Sequence, residues 1–306
     1  MSTNKQLSSF QIIKRRLNID SPPTVHSVAT ILDAIVDASG SMSSMGNAPP
    51  EQILQLMNDQ RKLALESGIK IYFSLTVFSD IPTLMIDKAN LSDPDYEIPT
   101  FSDLRDMLEP CGLTRFYDTV IERVAAQKAD SNSILKALPY SLRSLNPTIN
   151  RVVYVLTDGD DNRSTMGISD LRNCLNTNKT QNGFTAVFLA ANIGNAEVVG
   201  ANMGFDADTS LTIGNDAHYA SVGMNHATSL LRACSGGSAP PQFTQCMRTS
   251  SQAPSSYSSA AHLAAGISDS DSDGDDSDPY ITPPPQPISR RPPQLRRSNR
   301  AFGLRC

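Results

Sequence analysis

Apolar and polar positions along the chain fall into runs of two kinds, and their alternation organises the first 235 residues. Short, dense apolar runs bounded by turn residues predict strands at 28–37, 69–78, 82–87, 151–157, 184–191 and 207–213. Between them lie segments with apolar residues at helical spacing. Glu51–Ser67 places Ile53, Leu54, Leu56, Met57, Leu63 and Leu65 on one face, and Gly68 ends it. Phe116–Lys128, Ser133–Leu145, Ile168–Asn178, Asn195–Met203 and Asp216–Cys234 read the same way. Strands alternating with helices predict an α/β fold built on a mainly parallel sheet. The run Pro82–Asp87 opens with Pro and follows the second strand closely, so it predicts a short antiparallel edge strand reached by a hairpin.

The pattern stops near Gly236. Residues 1–27 read as a flexible polar arm, 28–237 as one domain, and 238–306 as a disordered tail with little to bury. The tail is acidic over 268–278, Pro-rich over 279–293 and basic over 290–305. Its first part, Phe243–Thr249, carries apolar residues suited to docking back onto the domain.

Two of the predicted strands end in chemistry. Val28–Val36 runs into Asp37-Ala38-Ser39-Gly40-Ser41, which gathers a carboxylate and two hydroxyls at alternate positions on one loop. Arg151–Thr157 runs into Asp158-Gly159, and Gly112-Leu113-Thr114 adds a hydroxyl in a loop ahead of a helix. Oxygen donors of this kind suit a hard divalent cation, Mg²⁺ above all. In open α/β sheets ligands collect at the carboxyl ends of the strands, where both Asp37 and Asp158 fall.

These motifs resemble the von Willebrand factor A (VWA) domain family and its metal-ion-dependent adhesion site (MIDAS), over roughly Ser27 to Ala233. The resemblance implies a Rossmann-like, doubly wound sheet with helices on both faces. It also implies an intact metal site formed by Asp37, Ser39, Ser41, Thr114 and Asp158. In the family pattern the three hydroxyls ligate Mg²⁺ (or Mn²⁺) directly, and the two carboxylates act mostly through water. One coordination position then faces solvent, where a partner protein's Asp or Glu can complete the sphere. The function implied is a non-enzymatic, Mg²⁺-dependent protein-interaction module. Arg115, Phe116 and Met42 would flank the socket. Asp160 and Asp161 would tune its charge, cap the next helix or face water, and Asp118 would orient Thr114 or cap its helix.

Bulk properties narrow the setting. A net charge of −5 over 306 residues argues against a globular surface built for nucleic acid. The N-terminus lacks the apolar core of a secretion signal, no run is long and apolar enough to span a membrane, and the five Cys show no paired spacing. An intracellular protein is expected, cytoplasmic or, through its basic tail, nuclear. Other signals are weaker. Asp269–Gly274 imitates the start of a Ca²⁺ loop, but its twelfth position is Tyr280; the same stretch suits phosphorylation at Ser268, Ser270 and Ser272. Ile281–Pro287 can form a polyproline spacer, and Arg290–Arg305 can contact nucleic acid or an acidic partner. The four His show no metal spacing, and no phosphate-binding loop with Lys is present. Two other function classes stay open: metal-assisted hydrolysis at Asp37 and Asp158, and a nucleic-acid-associated adaptor using the tail.

Overall fold

The apolar run after residue 27 forms β1 (Ser27–Asp37), and its near-continuous burial reflects a neighbouring strand on each side and helices on both faces. The computed structural model describes residues 27–159, 161–181, 183–236 and 242–252. In chain order the remaining elements are α1 (Ala48–Ser67), β2 (Lys70–Phe78), β3 (Thr83–Asn90), α2 (Phe101–Met107), α3 (Phe116–Ala137), α4 (Tyr140–Arg143), β4 (Thr148–Thr157), α5 (Ile168–Lys179), β5 (Phe184–Ala191), α6 (Ala196–Met203), β6 (Ser210–Ile213), α7 (Ala217–Ser235) and α8 (Gln245–Ser250). A 3₁₀ turn, Gly40–Met45, links β1 to α1.

The strand order is β3-β2-β1-β4-β5-β6. Neighbours are parallel except β2 and β3, which form the expected antiparallel hairpin. The order reverses between β1 and β4, so the helices split into two layers. Leu32, Ala34 and Val36 of β1 join a core with α1 and α7, while Ile35 joins the opposite core with Phe116, Val120 and Val124 of α3. This is the doubly wound, VWA-like α/β architecture that the sequence resemblance implied. Among the described residues no helix is long and apolar enough to cross a membrane.

Three local differences from the sequence reading have physical causes. The two helices expected over 116–145 are one, α3, followed by the short α4. The inward stripe of α3 continues past Val124 with Gln127 and Ser131, so apolar periodicity fades while the helix persists. Gln127 meets the sheet with hydrogen bonds: its Nε2 donates to the carbonyls of Ile31 (3.2 Å) and Val152 (3.0 Å). The second difference is α2, which buries only Leu104 and so has no apolar stripe. It is set instead by a capping box, Thr100 and Asp103. The third is the segment 242–252, which the sequence assigns to the tail. Phe243 is buried, and Arg248 of α8 donates to Glu197, to the carbonyl of Ser210 (2.7 Å) and to that of Ala207 (2.9 Å). Ser251 Oγ donates to the carbonyl of Thr212 (2.8 Å). The docking suggested for Phe243–Thr249 is therefore part of the fold, and the first portion of the expected tail belongs to it. The arm at 1–26 and the tail signals beyond 252 lie outside the described residues.

Candidate functional site

Asp37 is the last residue of β1, and Asp158 follows the last residue of β4, at the crevice where strand order reverses. Parallel register carries the two loops that leave these strands to the same end of the sheet. Asp37 is buried, and both of its oxygens are occupied. The Ser39 amide donates to Oδ1 (2.7 Å), and Thr157 Oγ1 donates to Oδ2 (2.6 Å). Beyond it runs a chain of side chains: Ser39 Oγ and Ser41 Oγ are 3.0 Å apart, and Ser41 Oγ donates to Asp158 Oδ1 at 2.8 Å. A serine hydroxyl has one proton. With Ser41 giving its proton to Asp158, Ser39 must be the donor between the two serines. Each hydroxyl oxygen keeps lone pairs for a further ligand.

The third loop is brought in by backbone bonds. The Gly40 amide donates to the Gly112 carbonyl (3.3 Å), the Cys111 amide to Ala38 (2.7 Å) and the Arg115 amide to Ser79 (3.1 Å). Gly112 has φ +73°, and a Cβ there would stand 2.5 Å from Asp80 Oδ2. A residue without a side chain takes that turn at the least cost. Thr114 is pinned to the Asp158 loop from both sides: its amide donates to Asn162 Oδ1 (2.9 Å), and its carbonyl accepts from the Asn162 amide (3.1 Å). Its hydroxyl faces the Asp158–Gly159 turn, 4.0 Å from the place a Cβ of Gly159 would take. It takes no part in the hydrogen-bond chain from Asp37 to Asp158. All five residues singled out by sequence thus meet at one end of the sheet.

Electrostatics at this end are poor for two bare carboxylates. Burial pushes the Asp37 carboxyl up; bonds from Thr157 and Ser39 oppose this, and the negative charge of Asp158 adds to the rise. Burial also raises Asp158 against its bond from Ser41. A cation would relieve both. Among the described residues no cluster of three or more His, Cys, Asp and Glu forms, so any cation here would lean on hydroxyl oxygens. That donor set fits a hard ion and not a soft one.

The neighbours resolve into supports. Phe116 and Met42 are buried and hold the loops. Arg115 pairs with Asp118 (2.9 Å) and reaches Glu122 (3.5 Å). Asp118 neither orients Thr114 nor caps its own helix. Its carboxylate accepts from the Thr165 amide (3.0 Å), Thr165 Oγ1 (3.1 Å), the Met166 amide (2.8 Å) and Arg115 Nε (2.9 Å). Burial alone would raise its carboxyl; these bonds prevail and hold it at about 2. Asp161 accepts from the amides of Tyr117, Arg163 and Ser164. Both carboxylates staple the loop after β4 to the first turn of α3. Asp160 lies outside the described residues. His218 and His226 sit on α7, and four cysteines, 111, 174, 234 and 246, are free thiols. Sequence reasoning passed over Asn162, which fixes Thr114, and Thr157, which fixes Asp37. Thr157 reads as an ordinary strand residue, and its position next to Asp158 was the only hint.

No protein-family model matches the chain, and no curated protein is similar to it in sequence. Solved structures are similar in fold. Proximal thread matrix protein 1 from the mussel byssus shows 18% identity and a TM-score of 0.41, over 68% of this chain and 47% of that one. A second form of it, described with a zinc-occupied MIDAS motif, shows 17% identity and a TM-score of 0.41, over 68% of this chain and 47% of that one. The SpRpn10 VWA domain shows 12% identity and a TM-score of 0.42, over 63% of this chain and 93% of that one. The chain spans about half the length of the mussel proteins. The fold assignment itself rests on the strand order and helix layers, and these place the chain among VWA-like α/β folds.

Proposed function

We propose that this protein is a protein-interaction module whose site at the carboxyl end of β1 and β4 holds Mg²⁺, with Mn²⁺ as a substitute, and captures a partner's carboxylate. The observation that carries the reading is the run of oxygens Ser39 Oγ, Ser41 Oγ and Asp158 Oδ1 at one end of the sheet. The loop bearing Thr114 is latched beside them. Ser39, Ser41 and Thr114 would hold the ion, with Asp37 and Asp158 supplying negative charge behind them. A bound ion of this kind supplies an open, positively charged position for an oxygen ligand. The protein's part is to keep the hydroxyls aimed. Thr157 and the Ser39 amide fix Asp37, and Asn162 fixes Thr114. The raised Asp37 and Asp158 carboxyls support the need for a positive partner. The free thiols support an intracellular setting.

Isothermal titration of the full chain with Mg²⁺ and Mn²⁺ tests this, beside Ser41→Ala and Asp158→Asn. Saturable binding that both substitutions abolish or weaken is expected. Ser41 is exposed, so its replacement leaves the core untouched. Absence of binding by the folded wild type, or equal binding by all three proteins, overturns the cation site.

A further inference from the structure

Beside the proposed carboxylate socket, and resting on that reading, lies a cavity of about 160 Å³ at the carboxyl ends of β4 and β5, between α3, α5 and α6. Its floor is apolar: Phe116, Phe188 and Met203 are all buried. Ile193 and Val199 form its walls. Ile168, also a lining residue, is an exposed apolar side chain at 40% exposure. We propose that this cavity is the second half of the partner-binding site, and that it seats one large aliphatic or aromatic side chain close to the partner's acidic residue.

Size decides the kind of occupant. Small-molecule and cofactor clefts run from about 300 to 1,000 Å³. This cavity is smaller and suits a single side chain. Charge agrees: among the described lining residues there is no Lys, Arg or His. The one acid, Asp161, has both oxygens engaged by backbone amides, so it neither recruits a cation nor asks for one.

Position links the cavity to the socket. Thr157 and Gly159, the residues on either side of Asp158, belong to its wall, and Thr157 also holds Asp37. An extended peptide advances about 3.3 Å per residue. Because the residues flanking Asp158 line the cavity, we set the socket carboxylate and the apolar side chain two or three residues apart, about 7–10 Å of extended peptide. The partner chemistry that fits is an acidic residue followed or preceded at that spacing by Leu, Ile, Met or Phe.

The test uses the full chain in Mg²⁺ and fluorescently labelled, capped peptides as probes. Gly-Asp-Gly-Leu-Gly and Gly-Asp-Gly-Gly-Leu-Gly are compared with the same peptides carrying Ser for Leu. The Leu peptides should bind about tenfold more tightly, as expected for burying one such side chain. Ile168→Ser should shrink that ratio toward one; this exposed first-turn position lets the fold tolerate the change. Val199→Thr, a near-isosteric change in the wall, should act the same way. Equal Mg²⁺-dependent binding of Leu and Ser peptides overturns the apolar subsite and leaves the carboxylate reading standing. Binding that survives removal of Mg²⁺, or no binding of any peptide, overturns the carboxylate reading and this inference with it.

Discussion

Asp118 holds the first turn of α3 and the loop after β4 together, and Asp118→Asn should show how much that staple contributes. In the wild type a buried carboxylate accepts four hydrogen bonds, from Arg115, from Met166 and, by amide and hydroxyl, from Thr165. Asparagine keeps the shape but removes the charge and turns an NH₂ toward donors. Hydrogen bonds to a charged group contribute about 1.5–3 kcal/mol, and a donor left unpaired costs about 1–3 kcal/mol. Since the asparagine oxygen retains one or two of the bonds, a net loss of about 2–3 kcal/mol is expected. Urea unfolding followed by circular dichroism measures it. With a slope of about 2–3 kcal/mol per molar urea, the midpoint should fall by about 1 M at pH 7. The pH dependence gives an independent check. The folded carboxyl is held at about 2, below the ordinary 3.8. Its contribution is therefore fully present above pH 3.8 and is lost as pH falls toward 2. The stability gap between wild type and variant should be constant from pH 7 to about 4.5 and narrow below that. An unchanged midpoint at pH 7, or a gap that does not narrow in acid, would refute the assignment of Asp118 as a charged staple.

Thr157→Val removes the donor to Asp37 Oδ2 at nearly constant shape, and thermal unfolding should show about 1–2 kcal/mol lost. Gly112→Ala must bring a Cβ against Asp80 in a left-handed turn. It should destabilise by at least about 1 kcal/mol, and Asp80→Ala in the same chain should recover part of that loss. Asp33 inside β1 is raised to about 6 by burial, against its ion pair with Arg123. An acid that holds its proton more tightly when folded makes the protein less stable as pH rises from about 4 to 6. Asp33→Asn should flatten that limb in urea midpoints measured across the window.

The site was legible because its signals are local. Asp37, Ser39 and Ser41 are two apart on one loop, and Asp158 ends an apolar run, so strand ends and oxygens could be read together. The residues that aim those oxygens were not legible. Thr157, Asn162 and the Thr165 amide act across loops separated by 47 residues or more from their partners, and nothing in their own neighbourhood marks them. The same contrast runs through the fold. α1 carries an apolar stripe and a Gly68 stop, and both were evident. The second half of α3 turns Gln127 and Ser131 inward, where hydrogen bonds to sheet carbonyls replace apolar contact, and periodicity is blind to that exchange. The antiparallel hairpin strand, expected over 82–87 and observed at Thr83–Asn90, was legible from the Pro before it and the short connection.

The segment that carries Phe243, Arg248 and Ser251 has a consequence for where this molecule can be cut. β6 is the last strand of its sheet, and the carbonyls of Ser210 and Thr212 are satisfied by side chains of that segment. Side chains that fill these carbonyls occupy acceptors a foreign strand would need. A fragment ended at the composition break near Gly236 would lose both donors together with the buried Phe243 ring. It would retain the complete candidate metal site and also present a bare strand edge beside an open apolar patch, the pairing that drives aggregation. Cover for that strand edge is thus encoded past the point where the sequence stops looking folded.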